Sequence, residues 1–240
     1  MKVLLLLVAI TLTVIGVEPQ KLFAKLHNDK PTPSTSVPED RTGRHDMVYG
    51  RAKEIAIFQM YYLKAKKEAV LLHKAKIERL LYKGITVKAR KDIPALTNAI
   101  LKYSNMYKVD ASVIAAIVIK ESSGRSWIKH KPVTVAVPLA PNWTKVGCQK
   151  VQAIGAMGVI WEIWKYDLKK IGLTKKDLFT IDGNIKAGTY IYKKYMDKPK
   201  IKGAPSKRAS ALSRFYGIVR DKSGKLNLTY YKQVQNIIDG

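Results

Sequence analysis

The segment Ala111–Ser122 constrains the fold of this chain more strongly than any other stretch. It contains neither glycine nor proline, and it follows Asp110, a residue type that is favoured at helix N-caps. Apolar residues recur within it at helical spacing, namely Ile114, Ile117 and Val118. This spacing predicts a helix with a buried apolar stripe. Glu121 falls on the same stripe near the C-terminal end of the helix, where burial and the helix dipole both raise the pKa of a carboxyl group.

The sequence around this helix predicts a mainly α domain over residues 89–240. A preceding helix is marked by Leu96, Ile100, Tyr103 and Tyr107. Helical periodicity returns at residues 159–170, 185–196, 206–216 and 229–238. Residues 129–153 contain the run Val-Thr-Val-Ala-Val and several prolines, which predicts an irregular excursion with a short hairpin. We therefore expect little strand in this domain.

The N-terminus predicts export. Within residues 1–20, Lys2 is followed by an uncharged apolar run over residues 3–17. A short positive start before such a run is typical of a signal peptide, and an uncleaved membrane anchor is the alternative. We therefore expect a periplasmic or cell-envelope protein, either secreted or held at the inner membrane by residues 3–17.

Two further segments separate this N-terminus from the α domain. Residues 21–46 are rich in proline and small polar residues, and they predict a flexible linker. Residues 47–88 predict a basic amphipathic helical extension, with Gly84 as its C-terminal stop. Its apolar stripe is formed by Phe58, Tyr62, Ala65, Ala69 and Leu72. The extension is expected to pack on the next domain, and the alternative is that it lies on a membrane or wall polymer.

The chain is strongly basic. Lys and Arg number 44 against 18 for Asp and Glu, which gives a formal net charge of +26. Nucleic acid, an anionic membrane surface or an anionic wall polymer would each suit such a charge, and the charge alone does not choose among them. We expect no nucleic acid partner, because no nucleic-acid-binding motif accompanies the charge. We also expect no metal and no cofactor, since Cys148 is the single cysteine and the four histidines show no ligand spacing.

Five sequence blocks, in order, resemble the soluble lytic transglycosylase family. The first is Glu121-Ser122, which follows a tyrosine-containing turn (Tyr107–Asp110) and the apolar helix described above. The second is the Gly-x-x-Gly block that runs from Gly155 through Met157 to Gly158. The remaining blocks lie at residues 184–189, 211–217 and 231–234. Each motif is common by itself, but their joint order makes coincidence improbable.

This resemblance implies a lysozyme-like α domain with a cleft for alternating N-acetylglucosamine and N-acetylmuramic acid. It implies that Glu121 protonates the leaving oxygen and then acts as base, while the muramyl 6-hydroxyl closes a 1,6-anhydro ring. Because this attack is intramolecular, one carboxyl group can suffice. The substrate-binding residues expected on this basis are Ser122, Gly155, Met157, Gly158, Trp161, Tyr216 and Tyr231.

The sequence also departs from the family pattern. Trp161 stands where a glutamine is usual, and Phe215-Tyr216 replaces the usual Tyr-Asn. The tyrosine hydroxyl expected near Glu121 would then have to come from Tyr216. Residues 123–154 form a long insertion that is expected to wall the cleft, with Trp127 and Trp143 as candidate sugar platforms.

Two alternatives to a transglycosylase follow from these departures. Goose-type lysozymes place an aspartate where Ile163 stands here, and Glu162 lies beside it. A muramidase that hydrolyses the same bond, with Glu162 as the second carboxylate, is therefore one alternative. The other is a non-catalytic wall-binding or assembly protein that has kept the fold and lost turnover.

Overall fold

The computed structural model describes residues 43–125, 128–217, 219–221 and 223–240. The predicted signal or anchor segment, most of the predicted linker and Trp127 lie outside these residues. The chain divides into two compact units, residues 1–72 and 73–240. Helix α1 (Gly43–Gly84) includes the boundary between them and ends at the glycine predicted as its stop. No helix in the described ranges combines the length and the apolarity that crossing a membrane requires.

The described part of the first unit carries exposed apolar side chains both on and off the predicted stripe. Two members of the predicted stripe, Tyr62 and Leu72, are exposed. Other large apolar side chains are exposed around the whole circumference of this part of α1, among them Ile55, Met60, Leu63, Val70 and Leu71. The other three members of the stripe, Phe58, Ala65 and Ala69, are half-buried, and the amphipathic extension stays a prediction.

The second unit is mainly α, as the sequence predicts. A 3₁₀ helix (Val87–Asp92) precedes α2 (Ile93–Tyr107) and α3 (Ala111–Ser122). The later helices are α4 (Trp161–Lys170), α5 (Ile181–Asp197), α6 (Lys207–Tyr216) and α7 (Thr229–Asp239). Further 3₁₀ turns lie at Pro141–Trp143 and Lys176–Phe179.

Helix α3 is the centre of the core. Its residues from Ala111 to Ile119 are buried on every side, rather than along one stripe. It packs against α2 and α7, while α5 packs against α2 and α6. Its N-terminus is capped as predicted, since the Asp110 carboxylate accepts a hydrogen bond from the Ser112 backbone N–H at 2.9 Å. This buried helix carries Glu121 at its last turn and holds it on a rigid support.

The predicted excursion between α3 and α4 contains a hairpin. Strands β1 (Val133–Pro138) and β2 (Val146–Val151) pair antiparallel over their full length. A second, very short antiparallel pair follows, β3 (Ala153–Ile154) with β4 (Val159–Ile160). The tight turn of this second pair contains residues 155–158, and it brings the Gly-x-x-Gly block next to the end of α3.

Candidate active site

A groove of about 510 Å³ lies beside the end of α3. Its walls come from β1, the segment of residues 158–164, α5 and the end of α6. The principal side chains on it are Val135, Ile163, Trp164, Tyr195, Phe215 and Tyr216. The walls are therefore largely apolar and aromatic, the kind of surface on which sugar rings stack. The insertion contributes one wall through β1, as the sequence predicts.

Glu121 lies next to this groove and is half-buried. The Tyr230 hydroxyl donates a hydrogen bond of 2.5 Å to its Oε1 atom. The second oxygen, Oε2, faces Gly158, which is one of the residues that line the groove. A methyl group added at Gly158 would lie only 3.0 Å from Oε2. One carboxylate oxygen is thus held by the protein, and the other lies at the edge of the groove.

The surroundings of Glu121 favour its protonated form. Burial raises the pKa of the carboxyl group above its usual range, because a buried charge loses its hydration. The hydrogen bond from Tyr230 and the charges of His130 and Lys120 act in the opposite direction, but burial is the largest effect. The raised pKa agrees with the direction predicted from the sequence. A protonated carboxyl near neutral pH is what a general acid requires.

The tight turn beside Glu121 is held by a buried asparagine. The Asn184 side chain accepts a hydrogen bond from the Met157 backbone N–H at 2.8 Å. It donates to the carbonyl oxygens of Ile154 and Leu178, at 2.9 and 2.8 Å. A side chain at Gly155, where φ is +75°, would collide with the Asn184 amide. Glycine is therefore needed there for space as well as for its backbone conformation.

Ser122 links the same turn to α3 by a hydrogen bond. Its hydroxyl is buried and lies 2.9 Å from the Ala156 carbonyl oxygen and 3.2 Å from that of Val118. One O–H can donate to only one of them at a time, and Ala156 is the closer acceptor. Ser122 thus fixes the distance between the Gly-x-x-Gly turn and the helix that carries Glu121.

Three aromatic rings meet at the end of α6. The Tyr216 ring stacks on the Tyr230 ring with centroids 5.0 Å apart and planes at 17°. The Phe215 ring lies 6.5 Å from that of Tyr230. Tyr216 is 48 % exposed and lines the groove, whereas Tyr230 is buried. The hydroxyl on Glu121 therefore comes from Tyr230, and Tyr216 supports the ring that carries it.

The other residues expected at the site lie as follows. Met157 is fully buried, with its sulfur packed against Gly188, so it supports the turn from the side of the core. Trp161 and Tyr231 are half-buried and pack on the core. Trp143 lies in the hairpin loop, 48 % exposed, and is not among the described residues that line the groove.

Neighbouring residues of α4 have separate environments. The Ile163 side chain lines the groove. Glu162 instead lines a second cavity, where its Oε1 atom lies 2.6 Å from the Lys175 ammonium. In the described ranges no three His, Cys, Asp or Glu side chains cluster closely enough to hold a metal ion.

Two residues beside Glu121 in the structure are absent from the sequence-based predictions. Tyr230 was missed because the closing block aligns on its neighbour Tyr231. His130 was missed because no motif marks it, although its Nε2 atom lies 3.5 Å from the Gly155 carbonyl oxygen. The adjacent tyrosines at residues 230–231 were the one available signal, since either could face α3.

The second unit is a mainly α domain with a carboxyl group beside an aromatic groove, which is consistent with a lysozyme-like domain. Residues 98–211 match the family model described as the transglycosylase SLT domain. The chain therefore carries a transglycosylase SLT domain, and its resemblance to soluble lytic transglycosylases is confirmed. No curated protein and no solved structure matches it. Glu121, Gly158 and Asn184 lie within the matched residues, and Tyr230 lies beyond them.

Proposed function

We propose that this protein is a peptidoglycan lytic transglycosylase with Glu121 as its single acid/base. It would cleave the bond between N-acetylmuramic acid and N-acetylglucosamine and leave a 1,6-anhydromuramyl end. The proposal rests on one observation, namely that burial raises the pKa of the Glu121 carboxyl. One of its oxygens is bonded to Tyr230, and the other lies at the edge of the groove.

The chemistry needs only this carboxyl and the substrate. Glu121 donates its proton to the glycosidic oxygen as the bond from that oxygen to the muramyl C1 breaks. The resulting carboxylate is stabilised by the Tyr230 hydrogen bond and lies close to the positive charge developing on the sugar. The muramyl 6-hydroxyl then bonds to C1 and returns its proton to Glu121. The enzyme ends in its starting state, and no water is consumed.

The position of the second carboxyl candidate supports this route over hydrolysis. A hydrolytic muramidase needs a group that activates water beside the sugar. Glu162 lines another cavity and is paired with Lys175, while Ile163 presents an apolar side chain to the groove. Such a surface favours a nucleophile that is already tethered to the sugar.

The aromatic groups along the groove support glycan binding. Tyr216 and Trp164 both line the groove, and Trp164 meets Tyr195 edge to face with centroids 5.6 Å apart. Rings fixed by their neighbours lose little entropy when a sugar stacks on them. We therefore assign sugar contacts to Tyr216 and Trp164.

The same proposal includes export and retention at the cell envelope. The predicted signal or anchor over residues 3–17 supports export. The net charge of +26 favours retention on anionic wall polymers or membrane surfaces. Such retention should weaken as salt rises, because the Debye length falls to about 8–10 Å at physiological ionic strength.

The catalytic assignment is tested by Glu121→Gln on purified peptidoglycan. The release of soluble muropeptides should fall by about 10²–10⁴-fold, the usual contribution of general acid–base catalysis. Glu78→Gln is the matched control, since Glu78 is a surface residue of α1 paired only loosely with Lys74 at 3.9 Å. Near wild-type release by the Glu121 variant would reject the assignment, and release lost only in Glu162→Gln would favour the muramidase.

A further inference from the structure

The tip of the β1–β2 hairpin exposes apolar side chains that the reaction proposed above does not use. Leu139, Trp143 and Val146 are 40, 48 and 54 % exposed. Residues 132–144, which contain β1 and most of the tip, form the longest stretch without a charged residue after the N-terminal apolar run. Single exposed apolar residues are ordinary, but apolar side chains that cluster at one exposed place mark an interaction surface.

The tip is held in one conformation. The Leu139 backbone N–H donates to the Lys145 carbonyl oxygen at 2.8 Å and closes the loop. The Tyr166 hydroxyl donates to the Leu139 carbonyl oxygen at 2.8 Å and ties the tip to α4. Trp143 has a φ of +60°, which a bulky residue rarely adopts, and such positions concentrate at functional sites. A surface that is already ordered loses little conformational entropy when it binds a partner.

Positive charge lies directly behind the apolar tip. Lys145 is the one charged residue within residues 136–148, and it is exposed, so its long side chain can reach past the apolar groups. The next exposed lysine along β2 is Lys150. It follows Cys148 by two residues and therefore lies about 7 Å farther from the tip. An apolar end with cations behind it matches the profile of an anionic bilayer, where hydrocarbon lies below negative headgroups.

These features favour a lipid surface over other partners. Tryptophan is enriched at membrane–water interfaces because its ring is apolar and its N–H is polar. Sites for sugars and other small ligands are usually concave, whereas Trp143 lies at the tip of a hairpin and lines neither the groove nor the second cavity. A stable protein interface takes about 20–30 residues from each partner, which is far more than this tip provides.

We propose that the tip of the β1–β2 hairpin inserts into the headgroup region of an anionic lipid bilayer. The three apolar side chains would enter the boundary between headgroups and acyl chains, and the lysines behind them would contact lipid phosphates. Such insertion usually reaches about 5–10 Å, which brings Cys148 to the lipid. Because β1 also forms a wall of the groove, the groove would be held at the membrane surface. The proposal adds a specific contact to retention by charge, and it does not depend on the catalytic assignment.

Cys148 allows the insertion to be measured locally. It is the single cysteine of the chain, it is exposed, and it lies on β2 near the tip. The full chain is labelled there with an environment-sensitive fluorophore and mixed with vesicles of equal parts phosphatidylcholine and phosphatidylglycerol. We expect a blue shift of the emission, and quenching when the acyl chains carry spin labels. The label reports on the hairpin itself, whatever residues 3–17 contribute to binding.

The control for this label lies outside the hairpin. In the Cys148→Ser background, Lys202→Cys places the same fluorophore on an exposed turn of the same unit. That label should show neither the blue shift nor the quenching. Vesicle-bound protein with an unquenched label at Cys148 would overturn the proposal, because adsorption by net charge would then be sufficient.

Trp143→Ala tests the role of the tip, with Phe179→Ala as its matched control. Phe179 is an aromatic residue of the same unit, 40 % exposed and outside the hairpin. In the Trp143 variant the ratio of inserted to free tip, read from the quenching at Cys148, should fall at least about tenfold, the value of burying one large apolar side chain. Trp143→Phe should retain most of the quenching, since it keeps an aromatic ring.

Two results of this comparison would overturn the proposal. Equal quenching in the wild type and in Trp143→Ala would show that the tip does not drive insertion. A Trp143→Ala protein that loses retention on lipid-free peptidoglycan, but is quenched by vesicles as the wild type is, would assign the tip to glycan. Cleavage of glycan is not part of either measurement, so the catalytic proposal and this one can fail separately.

Discussion

The Tyr230→Phe variant tests how the protein supports Glu121. It removes the hydroxyl that donates to Glu121 Oε1 at 2.5 Å and leaves the ring that stacks on Tyr216. The fold should persist, because the aromatic packing is kept. The hydrogen bond is strongest when Glu121 is a carboxylate, which is the form that proton donation generates. The variant therefore loses stabilisation of the Glu121 carboxylate late in the reaction, when that carboxylate has formed.

The expected magnitude follows from the type of bond. A hydrogen bond to a charged group contributes about 1.5–3 kcal/mol, and about 1.4 kcal/mol corresponds to a tenfold change in rate. We therefore expect kcat to fall roughly 10- to 100-fold. The bond also lowers the pKa of Glu121, so its loss raises that pKa further. A general acid must be protonated to act, and the alkaline limb of the kcat/KM profile should move to higher pH.

The assay is the rate of muropeptide release across a pH series with the wild type, Tyr230→Phe and Tyr231→Phe. Tyr231 is the residue to which the sequence pattern points, and it has no hydrogen bond to Glu121. Its variant should keep the alkaline limb of the wild type. An unchanged limb and rate for Tyr230→Phe, or a shifted limb for Tyr231→Phe alone, would refute this account of the site.

Three further predictions follow from the same contacts. Gly158→Ala should lower kcat at least tenfold in steady-state kinetics, because the added methyl group crowds Glu121 Oε2. Gly172→Ala is the control, since nothing lies within 4 Å of Gly172. Thermal unfolding should show that this control loses only roughly 1 kcal/mol of stability, the cost of a left-handed non-glycine residue. Asn184→Ala should lower the free energy of unfolding by about 3–5 kcal/mol in a urea titration, because three buried backbone groups lose their partner. Glu121→Gln should raise the free energy of unfolding at neutral pH, since a carboxyl with a raised folded-state pKa is destabilising once the pH exceeds its unfolded value. That gain should disappear in acid, where both states are protonated, and a gain that persists there would contradict it.

The predictable part of the fold is the part that local patterns determine. The Asp110 cap and the apolar residues that follow it were sufficient to predict α3, because cap and burial pattern agree there. The start of α5 was placed too late. Its first turn is polar at Asp182, and it is fixed by Thr180, whose side chain accepts from the Gly183 N–H at 3.1 Å. A cap of this kind leaves little hydrophobic signal.

The part of the site that could not be predicted depends on helix rotation. Successive residues of a helix point about 100° apart, so neighbours meet different surroundings. Tyr230 faces Glu121 and Tyr231 does not, and Ile163 lines the groove while Glu162 lines the second cavity. The rotation of α7 and α4 is determined by their packing against the rest of the unit. A sequence motif therefore cannot tell which of two neighbouring residues faces the site.

The mass of the products tests the central claim most directly. Purified peptidoglycan digested by the wild-type protein should give muropeptides that end in 1,6-anhydromuramic acid. These are lighter by one water than the corresponding reducing-end products, and Glu121→Gln should give almost none of them. Products that carry mainly reducing ends would contradict the account, because they would require a water molecule that the site proposed here does not activate.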